Sequence, residues 1–208
     1  LSTALYDECH EITGRFVGAD METHSVIFVK NTTEAINKLA KRLDFGKRDM
    51  VLTTSMEHHS NDLPWRRVAK VLYCEVDDNG ILDYNDFEEK LKCHKNRIRL
   101  VAITGASNVT GYVTELDIIS SLCRHHGIEL MVDAAQLAPH RRINMSEQHI
   151  DYIAFSGHKI YAPFGVGVLI GPKKTFLKGP PDIVGGGTVS LVGKDKVHWA
   201  GLPEKEEA

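Results

Sequence analysis

Lys159 closes the run Ser156-Gly157-His158-Lys159, directly after the strand-like stretch Asp151-Tyr152-Ile153-Ala154-Phe155. A second apolar run, Val166-Gly167-Val168-Leu169-Ile170, follows shortly afterwards. An amine at a turn between two such runs is expected inside a domain. There a lysine loses hydration, its charged form is disfavoured, and it becomes a nucleophile. Condensation with the aldehyde of a cofactor, giving a Schiff base, is chemistry such an amine serves. A lysine snorkelling from a strand end is the ordinary alternative, so other residues must decide.

Four further polar clusters follow apolar runs. Asn31-Thr32-Thr33-Glu34 comes after Ser25-Val26-Ile27-Phe28-Val29 and opens a helical pattern. Backbone N–H groups and threonine hydroxyls at a helix start suit a phosphate, although a plain cap is the simpler use. Met56-Glu57-His58-His59-Ser60-Asn61 comes after Met50-Val51-Leu52-Thr53-Thr54. Neighbouring side chains diverge, so His58 and His59 cannot share one site. An imidazole at a strand end could stack on a flat ring. The spacing holds no His-x-x-x-His, so no metal site is expected.

Ser107-Asn108-Val109-Thr110-Gly111 follows the 100–104 run, and Asn108 could donate to a ring oxygen or shape a turn. Asp133-Ala134-Ala135-Gln136 ends the most apolar stretch. A buried carboxylate needs a partner. A protonated ring nitrogen would give it a charge-assisted hydrogen bond; capping the next turn is the plainer role. Gln136 could reach a neighbouring ring oxygen.

Alternating elements must place these clusters. Residues 3–17 read as a helix ending near Gly18. Thr32 or Thr33 is expected to cap a helix to about Leu43, with Ala35, Ile36, Leu39, Ala40 and Leu43 on one face. Strands are expected at 25–29, 50–54, 71–76, 100–104, 128–132, 150–155 and 166–170. Helices are expected around Trp65, Val68 and Ala69, over 83–92, and over 116–126, the last closed by Gly127. This alternation predicts an α/β domain with a mainly parallel central sheet. The stretch between the last two strands is too short for a crossover helix, so one of them is antiparallel. Residues 185–208, with Gly185-Gly186-Gly187 and Glu204-Lys205-Glu206-Glu207, read as loop. The organisation is then a helical segment 1–18, a main domain 19–184 and a tail 185–208.

The 208 residues are 42% hydrophobic, enough for one sizeable core. A formal net charge of −3 gives no footprint for nucleic acid. No apolar run is long enough to span a bilayer. The first residues do not make a signal peptide, and the chain lacks a starting Met, so residues are expected to precede it. Cys9, Cys74, Cys93 and Cys123 are widely spaced, which argues for free thiols in a reducing cytoplasm. No Gly-x-Gly-x-x-Gly follows the first strand, which argues against a dinucleotide site. His125-His126 sits where a helix end suits partly positive side chains, and Arg141-Arg142 reads as a solvated pair.

Five runs carry a resemblance. Thr32-Thr33-Glu34-Ala35-Ile36-Asn37, Met56-Glu57-His58-His59, Ser107-Asn108-Val109-Thr110-Gly111, Asp133-Ala134-Ala135-Gln136 and Ser156-Gly157-His158-Lys159 stand in this order on the expected elements. Together they resemble the class V aminotransferase-like branch of fold type I pyridoxal-phosphate enzymes, most of all the cysteine desulfurase and selenocysteine lyase group. The resemblance runs from about Ser25 onward.

It implies a three-layer α/β sandwich, the large domain of a PLP-dependent transferase. It implies pyridoxal 5'-phosphate as cofactor and a small amino acid as substrate. By this resemblance Lys159 forms the Schiff base and then moves protons, Asp133 pairs with the pyridinium nitrogen, and His58 stacks on the ring. Gln136 and Asn108 fall beside the ring oxygen. Thr32, Thr33, Ser156 and His158 fall to the phosphate, and His59 acquires no role. A cytoplasmic homodimer is implied, with a sulfur-acceptor protein as partner of a desulfurase.

The family's second domain carries a carboxylate-binding arginine and the desulfurase's nucleophilic cysteine. It is expected beyond Ala208; a Gly-Thr-Pro-Asn stretch, which in relatives usually comes about where this sequence stops, is missing from it. None of the four cysteines stands where that nucleophile belongs, so this fragment is expected to bind cofactor weakly and catalyse little. Release of sulfur from L-cysteine, leaving alanine, is the leading reading. Class V transamination, kynurenine cleavage and epimerisation are others in the branch. A cofactor domain kept only for protein contacts is the non-enzymatic one.

Overall fold

The computed structural model describes residues 2–207. In chain order its elements are α1 (Ser2–Phe16), β1 (His24–Val29), α2 (Thr32–Arg42), β2 (Met50–Thr54), α3 (Leu63–Arg66), β3 (Lys70–Cys74), α4 (Tyr84–His94) and β4 (Ile98–Thr104). Then come α5 (Leu116–His125), β5 (Glu129–Asp133), β6 (Tyr152–Ser156), β7 (Gly167–Pro172), α6 (Lys173–Leu177), β8 (Val189–Val192) and β9 (Val197–Trp199). Seven strands form one sheet in the order β1-β7-β6-β5-β4-β2-β3. The run from β6 to β3 is parallel. β7 pairs antiparallel with both β6 and β1. The short β6–β7 connection dictates the first reversal; the second, at β1, has no local signal.

Each strand of the parallel run sorts its side chains between two apolar clusters. In β4, Leu100 and Ala102 pack with Ile36, Leu39, Trp65 and Phe176. Val101 and Ile103 pack with Phe87, Leu91, Ile119 and Cys123 on the opposite face. Alternation between two buried faces is what a sheet covered by helices on both sides requires. The fold is the expected three-layer α/β sandwich. Each fully buried Leu, Ile or Phe contributes about 1.5–3 kcal/mol relative to exposure.

α2 shows how sequence sets an element and aims it. Ala35, Ile36, Leu39 and Ala40 are buried at helical spacing, and Lys41 and Arg42 end the helix where cations suit its dipole. Its cap is Asn31, not Thr32 or Thr33: Asn31 Oδ1 accepts the Glu34 N–H at 2.9 Å. Asn31 holds the extended backbone of a cap while Thr32 and Thr33 are already helical, which leaves both threonine hydroxyls for other partners. β7 crosses against this cap so closely that a Cβ at Gly167 would sit 2.4 Å from Asn31 Cα.

Other expectations need correction. α3 is a single turn, and Val68 and Ala69 lie beyond it. The third strand stops at Cys74; Val76 makes only a lone bridge to Leu82. His126 is no simple dipole partner, because burial holds its pKa below the usual imidazole value.

The stretch read as loop contains the β8–β9 hairpin and a 3-10 turn, Glu204–Glu206, that returns to the body. There Lys38 Nζ meets Asp182 at 2.5 Å and Glu206 at 3.3 Å. Arg42 Nε lies 3.3 Å from Glu206, an ion pair without hydrogen-bond alignment. Lys205 donates to the carbonyls of Phe176 and Leu177. His10 Nδ1 bonds the Tyr6 carbonyl at 2.8 Å, so a neutral His10 presents a lone pair at Nε2, 3.0 Å from Glu207. Burial pushes the Glu207 carboxyl up to about 7, so its proton can bridge the pair.

Cys9, Cys74, Cys93 and Cys123 are unpaired, and burial pushes the Cys74 thiol up to about 12. Among the described residues no helix is long and apolar enough to cross a membrane.

Candidate active site

The parallel strands end together, and ligands of open α/β sheets bind outside such ends. Thr104, Asp133 and Ser156 are the last residues of β4, β5 and β6. They open into a cleft of about 210 Å³ that also takes in the start of α2, the loop after β2 and the 3-10 turn Gly157–Ile160. All nine residues expected from the sequence line it: Thr32, Thr33, His58, Asn108, Asp133, Gln136, Ser156, His158 and Lys159. Asn31, Ser60 and Thr104 join them.

The hydroxyl end forms where α2 meets β6. Ser156 Oγ accepts the Thr32 N–H at 2.8 Å and lies 2.7 Å from Thr32 Oγ1. Thr33 Oγ1 pairs with Ser60 Oγ at 2.8 Å. Hydroxyls clustered at the N-terminus of a helix this long form a place for an anion. His158 stacks on Phe164 at 4.8 Å, a contact the sequence did not announce.

Asp133 stands at the other end and is 3% exposed. Its Oδ1 accepts the Ala135 N–H at 2.9 Å, so it does cap the turn, and Oδ2 is left for a cation. Burial raises its pKa, and the charges of Lys159 and His58 act against that shift. A cation at Oδ2 would therefore favour the ionised carboxylate.

His58 and His59 diverge as expected. His58 lines the cleft, whereas His59 lines a separate hollow with Leu63, Pro64 and Arg67. The Ser60 N–H donates to His58 Nδ1 at 3.1 Å, so a neutral His58 carries its proton on Nε2. Lys159 is half-buried on the rim, not enclosed as the apolar flanks suggested. Its turn ends at Tyr161, whose φ of 66° is left-handed and unusual for a residue with a side chain. Asn108 is exposed on its loop, and Gln136 is half-buried.

Sequence reasoning assigned no role to Glu57. Its carboxyl accepts from Thr54 Oγ1 at 2.6 Å, the Thr104 N–H at 3.0 Å and Asn61 Nδ2 at 2.7 Å. Burial pushes it up to about 8. A carboxylate between the β2 strand and two histidines was the only sequence signal; the partner on β4 is 47 positions away.

A family model described as aminotransferase class V matches residues 1–208. The chain is 37% identical over 215 residues to a probable cysteine desulfurase of Halalkalibacterium halodurans, covering 100% of this chain and 52% of that protein. It is 39% identical over 217 residues to probable cysteine desulfurase 1 of Mycobacterium leprae, covering 100% of this chain and 34% of that protein. A crystal structure of a cysteine desulfurase from Escherichia coli matches with a TM-score of 0.87 and 32% identity, over 99% of this chain and 53% of that one. The apo cysteine desulfurase of Thermococcus onnurineus matches at 0.85 and 36%, over 98% and 51%. The chain thus spans between a third and about half of these relatives' lengths. By sequence along its whole length, and in a fold that gathers all five runs at one cleft, the chain belongs to the class V aminotransferase family.

Proposed function

We propose that this chain is the cofactor-binding portion of a pyridoxal-phosphate enzyme that takes sulfur from L-cysteine and leaves alanine. One observation carries the reading: a lysine, a buried carboxylate, an imidazole and a hydroxyl-lined helix start converge on one cleft. The donor set fits the cofactor's chemistry. Thr32, Thr33, Ser156 and His158 would hold the phosphate, Asp133 the ring nitrogen, and Gln136 and Asn108 the ring oxygen's edge. Bound pyridoxal phosphate supplies an aldehyde for condensation with amines and a ring that draws electrons from the substrate's α-carbon.

The chain's own residues do the rest. Lys159 Nζ offers the amine and, when free, takes and returns a proton at the α-carbon. Asp133 keeps a proton on the ring nitrogen by charge-assisted bonding. His58, on the wall of the cleft, would pack against the ring, with Nε2–H available to donate. Residues 19–184 supply this machinery, with 1–18 and 185–208 flanking it.

The names of the relatives support sulfur as the group removed. None of Cys9, Cys74, Cys93 and Cys123 lines the cleft, and Cys74 and Cys123 are buried with raised thiol pKa values, which supports a sulfur-accepting thiol supplied from elsewhere in the protein. Tyr161 and Phe164, 94% and 86% exposed just after Lys159, support a homodimer that covers this rim. A sulfur-acceptor protein is the expected second partner, and the four unpaired thiols support a cytoplasmic setting.

The test uses the full-length protein. Added pyridoxal phosphate should give a visible absorbance band that borohydride abolishes and that Lys159→Ala lacks. Cysteine should then yield alanine and sulfide. A wild-type protein without the band would overturn the cofactor reading; a keto acid in place of alanine would move the reaction to transamination.

A further inference from the structure

Glu57 does not line the cleft; it lies behind it, with its carboxyl turned inward. Its three bonds reach three different elements. Thr54 ends β2, Thr104 ends β4 beside Asp133, and Asn61 belongs to the 3-10 turn His59–Asn61. The Asn61 amide cannot flip freely, because its Oδ1 accepts the indole N–H of buried Trp65 at 3.0 Å. Nδ2 must therefore face Glu57. The Glu57–Asn61 bond closes a small ring of chain, and His58 rides on that ring. The neighbouring Ser60 both donates its N–H to His58 Nδ1 and pairs with Thr33 of α2.

We propose that Glu57 is a positioning residue for His58, its carboxyl clasping β2, β4 and the 59–61 turn so that the imidazole is presented to the cleft in one tautomer and one place. The geometry carries this without the cofactor; only the affinity measurement below rests on the cofactor reading. A carboxyl is specifically required, because each oxygen must accept: one from an obligate backbone donor and one from an amide whose orientation Trp65 fixes. Replacement by glutamine sets an N–H against the Asn61 N–H. Changing Asn61 to aspartate at the same time restores an acceptor for both that N–H and the indole.

The experiment uses full-length protein. Hydrogen–deuterium exchange of the apo form is measured for Glu57→Gln, Glu57→Gln/Asn61→Asp and Thr54→Val. Glu57→Gln should speed exchange across residues 55–62 while the central strands stay protected. The double variant should restore protection, and Thr54→Val should act in the same direction but less. Pyridoxal phosphate titrations are then run on Glu57→Gln, His58→Ala and both together. Each single change should weaken binding roughly tenfold, and the pair should bind no more weakly than His58→Ala.

Unchanged exchange in Glu57→Gln, or additive affinity losses, would overturn the clasp. If Glu57→Gln fails to fold, a folded double variant with native protection supports the clasp, and one with rapid exchange at 55–62 sinks it. A wild-type protein that takes up no pyridoxal phosphate would sink the cofactor reading, while the exchange data would still decide this one.

Discussion

Helix α2 touches two polar regions that handle charge in opposite ways. At its start, the cleft leaves groups open: Asp133 spends one oxygen on a backbone N–H, and Lys159 stands half-buried on the rim. Further along the same helix, Lys38 and Arg42 are used up on Asp182 and Glu206, with side chains 2% and 8% exposed on the helix. Buried charge that finds its partner inside the chain builds structure. Buried charge left waiting for a partner builds a site, at a cost in stability. The two regions should therefore separate cleanly when mutated, one losing activity and the other losing fold.

The sharpest break is Lys159→Ala. Turnover of cysteine by the full-length protein should fall by about 10³-fold or more, with the thermal midpoint little changed because the side chain is only half-buried. Lys38→Ala should do the reverse. It removes the buried ammonium between Asp182 and Glu206, leaving them only Lys41 at 3.7 Å and Arg42 at 3.3 Å, and chemical denaturation should show a loss of about 3 kcal/mol.

Asp133→Asn comes next, with turnover down by about 10²-fold. The apo protein should be at least as stable as wild type, because burial disfavours the carboxylate and the asparagine oxygen keeps the Ala135 bond.

A smaller effect is linked to protons at the tail. The Glu207 carboxyl sits at about 7 in the fold against an ordinary 4.5. The folded state holds a proton there that the unfolded chain has released, so this group's contribution to stability declines as pH rises between those values and is constant above about 7. Denaturation curves should show Glu207→Gln gaining on wild type across that window by about 1–3 kcal/mol. Smallest of all, Arg141→Ser should change stability by less than about 0.5 kcal/mol, since that side chain is exposed.

What the sequence disclosed follows the same division. Strands and helices were legible because apolar periodicity is local, and the residues of the cleft were legible because they stand at strand ends. Asn31 was overlooked as the cap because two threonines beside it are equally good candidates in one dimension. The β8–β9 hairpin and the Lys38–Glu206 contact were hidden by a glycine-rich, charged composition that reads as loop. The burial of Lys159 was overstated, since apolar flanks say where the backbone goes but not how far a long side chain reaches. Glu57 was not legible because Thr104, the partner that ties it to the cleft, lies on another strand and only the fold brings the two together.

One rod of 11 residues, about 16 Å long, carries hydroxyls at its head and the cations that grip the chain's far end along its shaft. Pulling or trimming that far end would tilt the rod. The proposed phosphate site at its head would weaken even though every contacting atom there had been left in place.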